Sequence, residues 1–196
     1  MTRGRPRLHK THWWTFFRQW LRNPGRTAAV APSSAELAKA MLQELPDDAR
    51  RVIELGGGTG AVTAALLEAG PGGDGLLVVE LNEELHAHLH ARFPGVRIVQ
   101  GDARELPRIA ADYLAAGPAD AIVSGLGLLS MPRETQRDVM AAAFACLRPD
   151  GRFVQFTYGP TAPVADDVAV ELGLQVRRGA FVLRNMPPAT VYVYTR

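Results

Sequence analysis

A single cysteine, Cys146, is all the thiol this 196-residue chain has, and one thiol excludes both a disulfide framework and a cysteine-rich metal site. It sits in the run Ala141-Ala142-Ala143-Phe144-Ala145-Cys146-Leu147, where an inert thiol on a buried helix face is expected. No apolar run approaches the ~20 residues of a membrane-spanning helix, and the N-terminus lacks the continuous apolar core of a secretory signal. Together these absences predict a cytoplasmic protein. The histidines offer no metal centre either, because His86, His88 and His90 alternate and so spread around a helix instead of converging. Acid is missing from the whole leader: Arg3, Arg5, Arg7, Lys10, Arg18, Arg22 and Arg26 all precede the first carboxylate, Glu36.

That last absence redistributes the charge. The remaining 15 of the 22 cations stand against all 20 acids, so the body is net −5 although the chain is net +2. Basic character gathered in the leader points to an anionic partner touched by the N-terminus, either nucleic acid or a lipid surface. The body, with hydrophobic content of 47% and charged content of 21% over the chain, has the makeup of one globular domain carrying an appendage.

Residues 1–7 read as a basic tail. A helix is expected over His9–Asn23, stopped by Asn23-Pro24-Gly25, and a second over Ala35–Leu45 after the cap Pro32-Ser33-Ser34. We divide the chain on this basis into an N-terminal extension, 1–45, and a domain, 46–196. From Arg51 onward strand and helix alternate. Strands are predicted at Val52–Leu55, Leu76–Glu80, Val96–Gln100, Ala121–Ser124, Arg152–Thr157, Leu174–Leu183 and Thr190–Thr195. Helices are predicted at Gly60–Ala69, Glu83–Phe93, Arg104–Ala116, Arg133–Leu147 and Ala162–Leu172. Such alternation means an α/β fold, a parallel sheet covered by helices on both faces. The last two strands follow each other directly, which predicts a closing antiparallel hairpin.

The ends of the strands carry the chemistry, because ligands of open α/β sheets bind there, where the strand order reverses. The first strand ends in Glu54-Leu55-Gly56-Gly57-Gly58-Thr59-Gly60. Four glycines in five positions, Gly56, Gly57, Gly58 and Gly60, with Thr59 between the last two, allow a sharp turn that leaves room for a ligand against the backbone. Gly56, Gly58 and Ala61 also satisfy the dinucleotide fingerprint, so the loop alone admits two cofactors, or a tight turn with none. Glu54 separates them: a carboxylate there suits a cationic amine, which S-adenosylmethionine has and a dinucleotide lacks. The second strand ends in Glu80-Leu81, where a carboxylate can take both ribose hydroxyls or act as a solvated acid before Asn82. Gly101-Asp102-Ala103 ends the third strand. Asp102 can accept from an adenine amino group while the Ala103 N–H faces a ring nitrogen, or it can cap the next helix; both can hold together. Ser124-Gly125-Leu126-Gly127 ends the fourth strand as a flexible rim that could face the reacting methyl.

The extension has its own pattern. All three tryptophans, Trp13, Trp14 and Trp20, share one helical arc of roughly 160° with Phe16, Phe17 and Leu21. The opposite arc carries Arg18 and Arg22 and no acid. An aromatic face backed by cations suits a helix lying in a membrane interface; packing onto the domain is the other reading of the same face.

Glu54, the glycine loop, Glu80 and Gly101-Asp102-Ala103 resemble, in order, the motifs of class I S-adenosylmethionine-dependent methyltransferases. The closing hairpin fits that seven-stranded Rossmann-like sheet. With Ala31-Pro32-Ser33-Ser34, Ser124-Gly125-Leu126 and Arg184-Asn185-Met186-Pro187-Pro188-Ala189, the layout is similar to the bacterial phospholipid N-methyltransferase family, which is related to the rRNA adenine dimethylases. Gly127 stands where that family usually has proline. The Asn-Leu/Ile-Pro-aromatic stretch of the rRNA dimethylases is absent after strand four, which argues against a planar base amine and against a nucleic-acid partner. The resemblance implies methylation of phosphatidylethanolamine toward phosphatidylcholine, with S-adenosylhomocysteine as the second product. The implied setting is an anionic phospholipid membrane, approached peripherally at the inner face of the cytoplasmic membrane, with no obligate protein partner. Tyr158 and Ser124 are then candidates to face the reacting amine, Tyr158 by cation–π attraction or a hydrogen bond. Arg184, with Arg18 or Arg22, is the candidate for the lipid phosphate. Ser33 and Ser34 reach the cofactor carboxylate if the second helix covers the site and otherwise only cap that helix.

Overall fold

The computed structural model describes residues 34–70, 72–158 and 161–196. The expected aromatic helix His9–Asn23, with Trp13, Trp14, Phe16, Phe17, Arg18, Trp20, Leu21 and Arg22, lies outside them, as does Ser33.

Seven strands form one sheet: β1 (Val52–Leu55), β2 (Leu76–Glu80), β3 (Arg97–Gln100), β4 (Ala119–Ser124), β5 (Leu147–Thr157), β6 (Gln175–Val182) and β7 (Ala189–Thr195), in the order β3-β2-β1-β4-β5-β7-β6. Strands β1 to β5 pair in parallel, whereas β7 is antiparallel to both β5 and β6. Consecutive strands β1, β2 and β3 build outward in one direction, and β4 returns to the other side of β1. The reversal point therefore lies between β1 and β4.

The central strands β1, β2 and β4 are buried at every position, because helices cover both faces of the sheet and each face must be apolar. Period-two alternation divides them between two cores. Ile53, Leu55, Ile122 and Phe153 face one core, with Met140 and Phe144 of a long helix, Arg133–Cys146. Val52, Val78 and Val123 face the other, with Leu37 and Met41 of α1 (Ala35–Leu42), Leu66 of α2 (Ala61–Ala69) and Leu89 of α3 (Glu83–Arg92). Ser34 caps α1 by accepting from Leu37 N at 3.1 Å, and the compact unit that contains this helix runs Pro32–Arg196. The helix drawn into the extension from the sequence thus packs with the domain.

Three expectations are corrected. The single helix expected over Arg104–Ala116 is a 3-10 turn, Ala103–Glu105, followed by α4 (Leu106–Ile109) and α5 (Ala111–Leu114). Pro107 lies in the first turn of α4, and Ala110 between the two helices has φ −91° and ψ 3°, outside the helical well, so no continuous helix forms. Strand β5 starts at Leu147, directly after α6 (Arg133–Cys146), not at Arg152. Leu147 pairs with Ala119 and the register then shifts before Arg152, so Pro149 and Gly151 mark an irregularity inside a strand and not a loop. The helix expected over Ala162–Leu172 shortens to α7 (Asp166–Glu171).

Candidate cofactor site

The reversal point is built from two backbones in contact. Gly125 N, past the end of β4, donates to Leu55 O at 2.8 Å, and Gly56 N donates to Val79 O at 2.8 Å. A Cβ on Gly125 would stand 2.8 Å from Gly56 O, a backbone atom that cannot swing away. Gly125→Ala is therefore expected to separate the two loops and weaken binding of S-adenosylhomocysteine at least tenfold by calorimetry, while destabilising the fold by only ~1–3 kcal/mol.

From Leu55 the chain turns through Gly56, Gly58 and Gly60, whose φ values are +74°, +55° and +84°, and enters α2 with Gly60 as its N-cap and no side chain capping it. Glu80, mostly buried at the end of β2, holds this loop. Its Oε2 accepts from Gly58 N and its Oε1 from Asn82 N, both at 2.9 Å. A carboxylate oxygen has two lone pairs, so each still has one for a ligand hydroxyl. Thr59 O accepts from Arg92 Nη1 at 2.6 Å.

Beside the loop lies a cavity of about 290 Å³ whose wall includes Gly56, Val79, Glu80, Leu81, Gly101, Asp102, Ala103, Leu126, Met131 and Val139. Four strand ends thus contribute to one space, and the expected residues Gly56, Glu80, Leu81, Asp102 and Ala103 meet there. Its walls are largely apolar, with carboxylates at the rim. Asp102 is already engaged: Oδ1 caps the 3-10 turn by accepting from Arg104 N at 2.9 Å, and Oδ2 pairs with the Arg104 guanidinium at 2.6 Å. That guanidinium holds the Asp102 carboxyl below its ordinary range.

The other expected residues fall elsewhere. Glu54, near the end of β1, is 1% exposed on the face of the sheet covered by α2, and does not line the cavity. Thr63 Oγ1 donates to its Oε2 at 2.7 Å. Burial, and to a lesser degree the nearby Glu80 carboxylate, push the Glu54 carboxyl up to about 8 against the Thr63 bond, which lowers it. Ser124 is fully buried at the end of β4 and accepts from Leu126 N at 3.3 Å. Tyr158 packs edge-on to Phe156 with centroids 5.2 Å apart, at the margin of the core that contains α1. Ser34 serves α1 as a cap. Arg184 stands exposed on the β6–β7 turn, away from the cavity wall. His86 and His90 do not spread around the helix as expected: four residues apart on α3, they share a face, with ring centroids 6.0 Å apart, although no group of three or more candidate ligands for a metal forms among the described residues.

Two buried glutamines that sequence reasoning passed over shape the cavity wall. Gln155 Nε2 donates to Leu126 O at 2.8 Å and to Phe156 O at 2.9 Å. Gln136 Nε2 donates to Leu128 O and Met131 O, both at 3.1 Å, while its Oε1 accepts from Ala165 N at 2.8 Å. With Ser124 they anchor the loop after β4 on both its N–H and C=O groups, and that loop carries Leu126 and Met131. The only signal in the sequence is Gln155, a lone polar residue in the apolar run Phe153–Phe156; Gln136 stands among Glu134, Thr135, Arg137 and Asp138 and gives none.

The family model of a methyltransferase domain matches residues 52–151, which cover β1 through the start of β5 and every wall of this cavity. This chain belongs to the S-adenosylmethionine-dependent methyltransferases. The methyltransferase is 30% identical over 187 residues to an ornithine lipid N-methyltransferase of Singulisphaera acidiphila, covering 90% of this chain and 92% of that one. Its fold is shared with solved structures of low identity. A TehB-like S-adenosylmethionine-dependent methyltransferase of Corynebacterium glutamicum superposes with TM-score 0.60 at 21% identity, over 96% of this chain and 100% of the other. The glycopeptide N-methyltransferase MtfA, solved with S-adenosylmethionine, gives 0.64 at 15% identity over 82% and 93%. The cofactor of the methyltransferase is S-adenosylmethionine, and the cavity fits it: apolar walls suit a purine, and the spare lone pairs of Glu80 suit a ribose.

Proposed function

We propose that this methyltransferase N-methylates the amine of a membrane lipid, carrying phosphatidylethanolamine and its mono- and dimethyl forms toward phosphatidylcholine. The observation that carries the reading is the 30% identity to a lipid N-methyltransferase over 90% of the chain. Bound S-adenosylmethionine supplies an electrophilic methyl on a sulfonium. In this reading Glu80 takes the ribose hydroxyls, Asp102 and the Ala103 N–H take the edge of the adenine, and Gly56–Gly60 passes under the amino-acid tail. Glu54 neutralises the tail's ammonium, and the uncapped N–H groups opening α2 suit its carboxylate. Leu126 and Met131, held by Gln155 and Gln136, shield the apolar part of the cavity from water. The lipid amine has to be neutral to attack and held in line. Tyr158, after β5, offers its ring to the growing positive charge on nitrogen, while Ser124, buried at the end of β4, serves the approach by holding Leu126 N. Arg184, joined by Arg18 and Arg22, meets the lipid phosphate. The face of Trp13, Trp14, Phe16, Phe17, Trp20 and Leu21 enters the interface of an anionic bilayer, at the inner side of the cytoplasmic membrane. Among the described residues no helix is long and apolar enough to cross a membrane.

Methyl-labelled S-adenosylmethionine tests this directly. Incubated with vesicles containing phosphatidylethanolamine, with vesicles containing an ornithine lipid, and with total RNA, the protein is expected to place label in the phosphatidylethanolamine fraction as N-methylated lipid. Label confined to the ornithine lipid would move the headgroup to that of the Singulisphaera relative. Label confined to RNA or to soluble amines would overturn the lipid reading.

A further inference from the structure

After Glu171 the chain carries Arg177, Arg178, Arg184 and Arg196 and no carboxylate. The same stretch holds Val176, Phe181, Leu183 and Met186, four of the six large apolar side chains exposed among the described residues; the last three are 58%, 71% and 81% exposed. Arg177 is paired with Glu44, but Arg178 and Arg184 meet no carboxylate of the described residues. Apolar side chains and free cations are thus interleaved along the β6 edge and the β6–β7 turn.

The surface is ordered and well placed. Asn185, 3% exposed, pins the turn: its Oδ1 accepts from Ser34 N at 2.9 Å and its Nδ2 donates to Pro187 O at 2.7 Å. Leu183 and Met186 flank this anchor and point outward. Because β7 is antiparallel to both neighbours, β6 runs parallel to β5, and the turn stands at the carboxyl edge of the sheet, the edge that holds the cofactor cavity. Ser34, the cap of α1, ties the same turn to that helix.

Exposed apolar groups cost free energy in water and gain it in a lipid interface, and arginines without acids match anionic headgroups. A second copy of the chain pairing along β6 about a twofold axis would instead set the same arginines against each other. We propose that β6 and the β6–β7 turn form a membrane-contact surface, in which Phe181, Leu183 and Met186 enter the interface of an anionic bilayer while Arg178 and Arg184 meet its phosphates. The contact turns the carboxyl edge of the sheet toward the lipid. It rests on the lipid-amine reading above.

The test uses the full chain and vesicles of phosphatidylglycerol mixed with phosphatidylcholine, with pure phosphatidylcholine as the reference. The triple variant Phe181→Ser/Leu183→Ser/Met186→Ser is expected to lower partitioning onto the anionic vesicles about tenfold or more. Arg178→Gln is expected to lower it about fivefold, on the anionic vesicles alone. All four sites are exposed, so melting and S-adenosylhomocysteine affinity are expected to stay near those of the parent. Should the triple variant fail to fold, Leu183→Cys labelled with an environment-sensitive dye reports instead, since Cys146 is buried; a blue shift on anionic vesicles is expected. Unchanged partitioning, an unshifted dye, or a triple variant that abolishes a dimer in ultracentrifugation while partitioning is kept would overturn the proposal. Partitioning that responds without lipid methylation fails the proposed function and leaves this surface standing; methylation with unmoved partitioning does the reverse.

Discussion

Glu54→Gln is expected to make the cofactor-free protein more stable and to weaken its hold on S-adenosylmethionine. The carboxyl is buried, held by Thr63 through Oγ1 at 2.7 Å and through its backbone N–H, and raised to about 8. An acid whose folded pKa lies above its unfolded value favours folding only while protonated. The linkage is complete below the unfolded value of 4.5 and is lost as pH rises through about 8. Glutamine keeps an oxygen for Thr63 and has no proton to lose. Urea midpoints of parent and variant are therefore expected to coincide in acid and to diverge in alkali, by roughly 4 kcal/mol in favour of the variant at pH 9. Binding runs the other way. If Glu54 faces the ammonium of the cofactor, it must ionise to do so, so parental affinity rises with pH up to about 8 and then levels, with about one proton released per ligand in acid. The variant should bind at least tenfold more weakly and lose that pH dependence. Equal affinities with equal pH profiles would remove Glu54 from the site. A stabilised protein that binds poorly would mark the carboxylate as kept for function at a cost to the fold.

Gly60→Ala is expected to damage fold and site together. Gly60 holds φ +84°, and a Cβ there would meet Phe93 Cε2 at 2.5 Å and Leu89 Cδ2 at 3.1 Å. Backbone strain of about 1 kcal/mol adds to crowding of about 1–3 kcal/mol, and relief moves the loop that Glu80 secures through Gly58. Gly72 is the control. Its φ is +77°, yet nothing lies within 4 Å of its would-be Cβ, so Gly72→Ala reports strain alone. The excess loss of urea stability in Gly60→Ala over Gly72→Ala measures crowding, and Gly60→Ala/Phe93→Leu should recover part of it. Loss of S-adenosylhomocysteine binding is expected for Gly60→Ala and not for Gly72→Ala. Equal stability losses would show that Phe93 and Leu89 yield freely.

The membrane contacts proposed for the aromatic extension and for the β6–β7 turn rest on independent features. Trp13, Trp14 and Trp20 argue from spacing in the chain, whereas Leu183 and Met186 argue from exposure in the fold. Spacing is legible in a string of residues. Exposure is not: the pattern over Leu174–Leu183 is that of any closing-hairpin strand, and nothing local says that β7 inserts between β5 and β6 and leaves β6 at the rim.

The sequence by itself determined the elements and their order. Period-two and helical patterns are set by backbone geometry within a few residues, so all seven strands, the closing hairpin and the glycine turn could be located before any packing was known. The strand-end rule also brought Gly56, Glu80, Leu81, Asp102 and Ala103 to one place, because in a parallel sheet consecutive carboxyl ends share an edge. Tertiary structure alone decided where side chains point and what they meet. Glu54 precedes the loop by two residues, but strand alternation turns its carboxyl to the face of the sheet that carries α2, where it is buried against Thr63. Gln136 and Gln155 act on a loop that reaches them only after the sheet is assembled. Ser34 and Asn185, 151 positions apart, bond because α1 packs against the final strands. Local patterning follows from covalent geometry and short-range sterics; burial, titration and partnership follow from long-range packing, which a linear chain encodes but does not display.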